Sequence, residues 1–182
     1  MDCVTAWASD SEPGWKSDNQ LLVIWTHVVC PGIASGADSM SEVPTTINFL
    51  SAVPQFAVPD LVRTAEYYRD VLGFQIAGYW DGARVSLAPE TPPVFAIVWR
   101  DQIQVFFNRA DEPGARKGRG EDAPDVYFRV TGIDALAEEL RTRGADTLDG
   151  PEDRVYGQRE LVVKDCNGLI LCFGEDTSGR SN

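Results

Sequence analysis

A short pattern occurs twice in this chain, and the duplication constrains the fold more than any other feature. The first copy runs Phe56-Ala-Val-Pro-Asp-Leu-Val-Arg-Thr-Ala65-Glu66-Tyr-Tyr68-Arg69 and the second Phe128-Arg-Val-Thr-Gly-Ile-Asp-Ala-Leu-Ala137-Glu138-Glu-Leu140-Arg141, 72 residues apart (Phe56 to Phe128) and without gaps. Phe56 matches Phe128, Val58 matches Val130, Leu61 matches Ile133, and Ala65-Glu66 matches Ala137-Glu138. In each copy apolar residues first recur every second position and then every third or fourth. That change of period is the mark of a strand running into an amphipathic helix. A supersecondary unit repeated at this distance implies two modules that bury a shared face.

The pattern extends outward from both copies. In the first half, residues 50–58 read as a strand, with Asp60 as the helix N-cap. Leu61, Ala65, Tyr68 and Leu72 share one helical face, and Gly73 ends the helix. Phe74–Trp80, Arg84–Leu87, Val94–Trp99 and Gln102–Asn108 then read as strands, the last two joined at Arg100-Asp101. In the second half, Val126–Val130 is a strand and Ile133–Arg143 a helix with Ile133, Leu136, Ala137 and Leu140 buried. Arg159–Lys164 and Leu169–Phe173 are strands around the turn Asp165-Cys-Asn-Gly168. Each half is expected to be β-α-β-β-β, so the fold class is α+β, with two modules forming a curved mixed sheet around a cleft. Phe56, Val58, Phe128 and Val130 should face the helices. Val53, Gln55, Asp125 and Tyr127 have the opposite parity.

The expected domain covers residues 50–176, with modules at about 50–109 and 123–176 and a polar tail at 177–182. Residues 109–123, rich in Gly, Pro and charge, form the linker. Residues 1–49 lack sustained periodicity and are expected to be a disordered extension. A start codon assigned too early, with Met40 as the true start, would account for them; the mass of the native protein tests this. The apolar run at residues 21–30 is too short to span a bilayer and lacks the basic flank of a signal peptide.

A net charge of −12 disfavours nucleic acid, which requires clustered Lys and Arg, and is compatible with a cationic small molecule. Four cysteines without Cys-x-x-Cys spacing and one histidine, His27, argue against zinc and for reduced thiols in the cytoplasm. The same shortage of histidine forbids a Ser-His-Asp set in the domain. Neither the fold nor the charge requires a membrane.

Phe56-Ala-Val-Pro-Asp-Leu61, Tyr67-Tyr-Arg-Asp-Val-Leu-Gly-Phe74, Val130-Thr-Gly-Ile-Asp-Ala-Leu136, Arg143-Gly-Ala145 and Tyr156-Gly-Gln-Arg-Glu160 followed by Asp165-Cys-Asn-Gly168 resemble, in this order, the vicinal oxygen chelate superfamily. That superfamily holds glyoxalases, bleomycin resistance proteins and extradiol dioxygenases, and the resemblance covers residues 50–175. It implies a divalent metal held by His, Gln or Glu on inward strand positions, here Val53, Asp125, Cys172 and Phe106. Val53 and Phe106 have no ligand atom, and Asp125 with Cys172 is a mixed pair. The chain therefore is similar to the metal-free, bleomycin-resistance-like branch, which sequesters an antibiotic in a cleft and is commonly dimeric. No catalytic residue, metal or cofactor is assigned.

The expected ligand-binding residues are Gln55, Trp80, Trp99, Phe106, Asp125, Tyr127, Tyr156 and Cys172. Gln55 offers an inward amide, and Phe106 and Tyr127 offer stacking surfaces for a planar ligand. Trp80 and Trp99 stand at strand ends along the groove. Asp125 offers a carboxylate to a cation, Tyr156 covers one end of the cleft, and Cys172 is a small buried hydrophobe. Each has a structural alternative: cross-strand or module packing for the aromatics and Gln55, a wetted rim for Asp125, a turn for Tyr156. Arg159 and Glu160 are adjacent and so face opposite sides of a strand, with a structural ion pair the plainer role. The alternative function is a metal-dependent lyase, isomerase or dioxygenase with an atypical ligand set.

Overall fold

The computed structural model describes residue 47, residues 49–110 and residues 123–179. Apart from residues 47 and 49, the expectations for the N-terminal extension, and for all but the ends of the linker, fall outside the described residues. The first module runs β1 (Gln55–Val58), α1 (Leu61–Asp70), β2 (Gln75–Trp80), β3 (Val85–Ser86), β4 (Phe95–Arg100) and β5 (Ile103–Arg109). The second runs β6 (Val126–Arg129), α2 (Ile133–Thr142), β7 (Asp146–Asp153), β8 (Gln158–Lys164) and β9 (Ile170–Asp176). They form two mixed sheets, in the order β1-β5-β4-β2-β3 and β6-β9-β8-β7. In each, the strand before the helix lies parallel to the last strand of its module, and the other pairs are antiparallel. The registers repeat as the sequences do: Gln55 pairs with Phe106, and Tyr127, 72 residues on, pairs with Cys172.

The helices start by different devices. Asp60 caps α1, its carboxylate accepting the Arg63 N–H at 3.0 Å, a contact worth about 1 kcal/mol. The equivalent position in α2 is Gly132, at φ +72°, which has no side chain to offer. Glu175 of β9 supplies the missing carboxylate and accepts the N–H groups of Gly132 and Ile133 at 3.1 and 3.0 Å. The charge sits at the positive end of the helix and fastens the last strand to it.

Both helices and the inner faces of both sheets share one core. Val58, Leu61, Ala65, Tyr68, Leu72, Val98, Val105 and Phe107 meet Phe128, Ile133, Leu140, Leu161, Val163 and Phe173 there. Phe56 and Val130 pack against its edge, so all four strand residues expected to face the helices do so. Phe74 touches Phe128 across the two halves, ring centres 6.4 Å apart.

The modules join by reciprocal contacts. From α1, Tyr68 donates to Asp165 at 3.4 Å and Tyr67 to the Lys164 carbonyl at 3.3 Å, while Thr64 receives Asn167 at 3.0 Å. From α2, Glu139 pairs with Arg100 at 2.7 Å, and Arg100 also donates to the Leu72 carbonyl. Thus α1 leans on the β8–β9 turn and α2 on the β4–β5 turn. These contacts occupy the helix side of each sheet and leave the opposite, outer face of each sheet outside the core.

The structure adds a strand that sequence periodicity did not reveal. β7 reads Asp-Thr-Leu-Asp-Gly-Pro-Glu-Asp, with one large apolar residue, Leu148, which is exposed. It is an edge strand with two irregularities against β8, so it needs no alternation. β1 is shorter than expected: its ladder starts at Gln55 opposite Phe106, with only the Pro54 carbonyl ahead of it accepting the Phe106 N–H at 3.0 Å.

Candidate functional site

Strand alternation assigns the outer faces. In β4 and β5, Ala96, Val98, Val105 and Phe107 enter the core, so Phe95, Ile97, Trp99, Gln104, Phe106 and Asn108 point the other way. Gln55 lies beside Phe106, and Trp80 beside Phe95. Phe95 and Phe106 meet edge to face with ring centres 5.3 Å apart. Gln55, Trp80, Trp99 and Phe106, four of the sequence-predicted residues, therefore share one face of the first sheet. The three aromatics among them are half-buried, and the surface they form is aromatic and amide-bearing.

On the outer face of the second sheet, Tyr127, Cys172, Val162 and Asp149 form one row across the strands, and Gly174, Glu160 and Glu152 form the next. Glu160 is the centre of this face and is only 7% exposed. The Tyr127 hydroxyl donates to its Oε1 at 2.8 Å, and the Tyr156 hydroxyl to its Oε2 at 2.8 Å. Arg154 reaches Oε2 at 3.3 Å and also pairs with Glu152 and Asp149. Tyr127 crosses β9 at Gly174, where any Cβ would run into its hydroxyl and ring. Burial, then the bond to Glu160, pushes the Tyr127 phenol above its ordinary range. The bond to Glu160 does the same for Tyr156. Burial and the Glu160 charge raise the Cys172 thiol to about 11, so it stays protonated at neutral pH.

The remaining sequence-predicted residue is tied to the backbone. The Asp125 carboxylate accepts the Ile170 N–H at 2.8 Å, while its own N–H donates to the Ile170 carbonyl at 2.7 Å, closing the start of the β6–β9 ladder. Arg159 and Glu160 face opposite sides as expected, but they do not pair with each other. Arg159 pairs with Asp134 of α2 and Asp153, at 2.8 and 3.1 Å. Sequence reasoning did not single out Glu160 or Arg154 as the hub. The usable signal was parity: Glu160 has the outward phase of β8, alternating with Leu161 and Val163.

A groove of about 850 Å³ lies elsewhere, between Leu72, Phe74, Phe128, Leu136 and Phe173, with Arg100 and Glu139 on its rim. None of the eight candidate residues lines it. At the repeat-equivalent positions of Tyr67 and Tyr68 in α1, α2 has Glu139, which lines the groove, and Leu140, which does not.

The model of the Glyoxalase/Bleomycin resistance protein/Dioxygenase superfamily matches residues 47–173, and the chain belongs to that superfamily. TioX from Micromonospora sp. ML1 is a solved relative in fold, with 21% identity and a TM-score of 0.51 over 68% of this chain and 96% of that one. A glyoxalase-related enzyme from Clostridium phytofermentans gives 18% identity and a TM-score of 0.55 over 73% and 99%. A glyoxalase/bleomycin resistance protein/dioxygenase from Nocardioides gives 17% and 0.52 over 75% and 90%. At these identities the likeness is one of fold. No curated protein matches the sequence.

The residues at the family's metal positions do not fit a divalent cation. Val53 and Phe106 have no donor atom, which leaves only Asp125 and Cys172, a hard carboxylate and a soft thiol that do not make a coherent ligand set. Among the described residues no group of three or more His, Cys, Asp and Glu side chains is disposed to hold a metal. No helix among them is long and apolar enough to cross a membrane.

Proposed function

We propose that the protein binds a small organic molecule, of antibiotic type, between outer sheet faces and holds it without metal-assisted chemistry, as in the bleomycin-resistance-like branch. The observation that carries this is the donor set. Of the four positions that would ligate a cation, Val53 and Phe106 have no donor, and Asp125 and Cys172 are a mixed pair of hard and soft donors. Lewis-acid catalysis requires an open, multiply coordinated ion, and these side chains do not build its site. Aromatic and amide side chains occupy the first sheet instead, which suits a planar, partly polar ligand.

The binding unit is a homodimer. Within one chain the helix sides of both modules are spent on the common core, so the outer faces are left to be covered by a second copy. Each cleft then lies between the first sheet of one chain and the second sheet of its partner. The free thiols of Cys166 and Cys172 suit a reducing, cytoplasmic setting.

Calorimetric titration of the full chain with bleomycin tests the ligand class. A micromolar or tighter complex, unchanged after EDTA treatment, is expected. Absence of heat at millimolar drug removes that ligand. A stoichiometric metal in purified protein whose removal abolishes activity would reverse the metal-free assignment in favour of an enzyme. Light scattering should give twice the chain mass.

A further inference from the structure

We infer that the outer face of the second sheet is a two-tyrosine platform that selects a planar organic cation. This rests on the binding role proposed above and adds the ligand's charge and the wall that reads it. Tyr127 and Tyr156 are 42% and 63% exposed as residues, yet both hydroxyls are committed to the carboxylate of Glu160, a residue only 7% exposed. An exposed tyrosine ordinarily keeps its hydroxyl in water and its ring free to turn. Here both phenols are anchored at 2.8 Å, so the rings are held in place before any ligand arrives.

The anchoring also selects the chemistry. A phenol that donates to a carboxylate gains electron density in its ring, and an electron-rich face attracts a cation. With both hydroxyls occupied, recognition falls to the ring faces. Asp149, Glu152 and Glu160 surround a single guanidinium, Arg154, so this patch carries more negative than positive charge. A cation is favoured, a neutral ring tolerated and an anion repelled. The outer-face positions around Phe106 and Trp99 in the first sheet carry the neutral amides Gln55, Gln104 and Asn108, so discrimination by charge belongs to the second sheet. Gly174 is part of the device, since its missing side chain lets Tyr127 lie across β9 to reach Glu160.

The test titrates the full chain at pH 7.5 with three probes of similar shape: 1-methylquinolinium, neutral 1-methyl-2-quinolone, and naphthalene-1-sulfonate. The cation should bind at least about tenfold more tightly than the quinolone, and the sulfonate most weakly. Tyr127→Phe and Tyr156→Phe keep both rings and remove the anchors. Each should cut the affinity for the cation by about threefold to tenfold and leave the quinolone unchanged. Tyr156 is the more exposed, so its variant keeps the test alive if loss of the Tyr127 hydroxyl unsettles the fold. Equal affinity for cation and quinolone, or equal losses for both in the variants, overturns the platform and leaves the bleomycin titration standing. Failure of all three probes to bind wild-type protein also overturns it, whatever that titration shows.

Discussion

Gly174→Ala tests the geometry around Glu160 through the sign of its effect. The φ of Gly174 lies outside the left-handed region, so the backbone does not require glycine there. By unfolded-state entropy alone, alanine at a permissive strand position should stabilise the fold by about 0.5 kcal/mol. The structure demands the opposite, because the new methyl group would collide with the Tyr127 hydroxyl and ring and expel them from β9. The lost hydrogen bond to a charged, buried acceptor is worth about 1.5–3 kcal/mol, and the lower half applies because Tyr127 is 42% exposed. The net expectation is a loss of about 1–1.5 kcal/mol, read by urea unfolding of the full chain, with a fall in Tm of about 3–7 °C. In a Tyr127→Ala background the obstacle is gone, and the same substitution should become neutral or stabilising. The coupling between the two sites is then about 1.5–2 kcal/mol. A stabilising Gly174→Ala in the wild type, or an equal cost in both backgrounds, would refute the placement of Tyr127 over Gly174.

Asp165→Ala should cost about 2–4 kcal/mol in the same assay, because it strands the Asn167 and Leu169 N–H groups, each now bonded at 2.8 Å, and frees Tyr68; a loss under about 0.5 kcal/mol would contradict that role. Iodoacetamide at pH 8 should label Cys166 before Cys172, as peptide mass spectrometry would show. Burial holds both thiols near 11, but only Cys172 is shut away from solvent. Stability should fall as pH rises from about 9 towards 12. Burial raises Tyr67 and Tyr79 to about 12 and the two thiols to about 11, so the folded state binds more protons than the unfolded state across that window. A flat urea midpoint between pH 8 and 10.5 would contradict those environments.

The modules were legible because each buries one face, and burial writes a period into sequence. Leu61, Ala65 and Tyr68 recur with helical spacing, and Val98, Val105 and Phe107 alternate, since each residue reports its side of the core. β7 has no such obligation. It lies at an edge with both faces near solvent, and its residues are free to be acidic. The outward parity of Gln55, Phe106 and Tyr127 was readable for the same reason the core was. The hub at Glu160 was only half readable: parity turned its carboxylate outward, but its bonds depend on side chains of β6 and of the β7–β8 turn, Tyr127, Tyr156 and Arg154, that reach back to it. Linear spacing contains no trace of that return. Asp125 shows the converse: its polarity invited a ligand role, while its carboxylate is engaged by a backbone N–H of β9.

The acidity of β7 has a consequence for how chains of this protein meet. Asp146, Asp149, Glu152 and Asp153 line the lateral margin of the second sheet, Pro151 withholds a backbone N–H, and the ladder to β8 is broken in two places. A further strand approaching from that side would find like charges and mismatched spacing. Ribbon-like extension of the sheet is therefore discouraged along that margin.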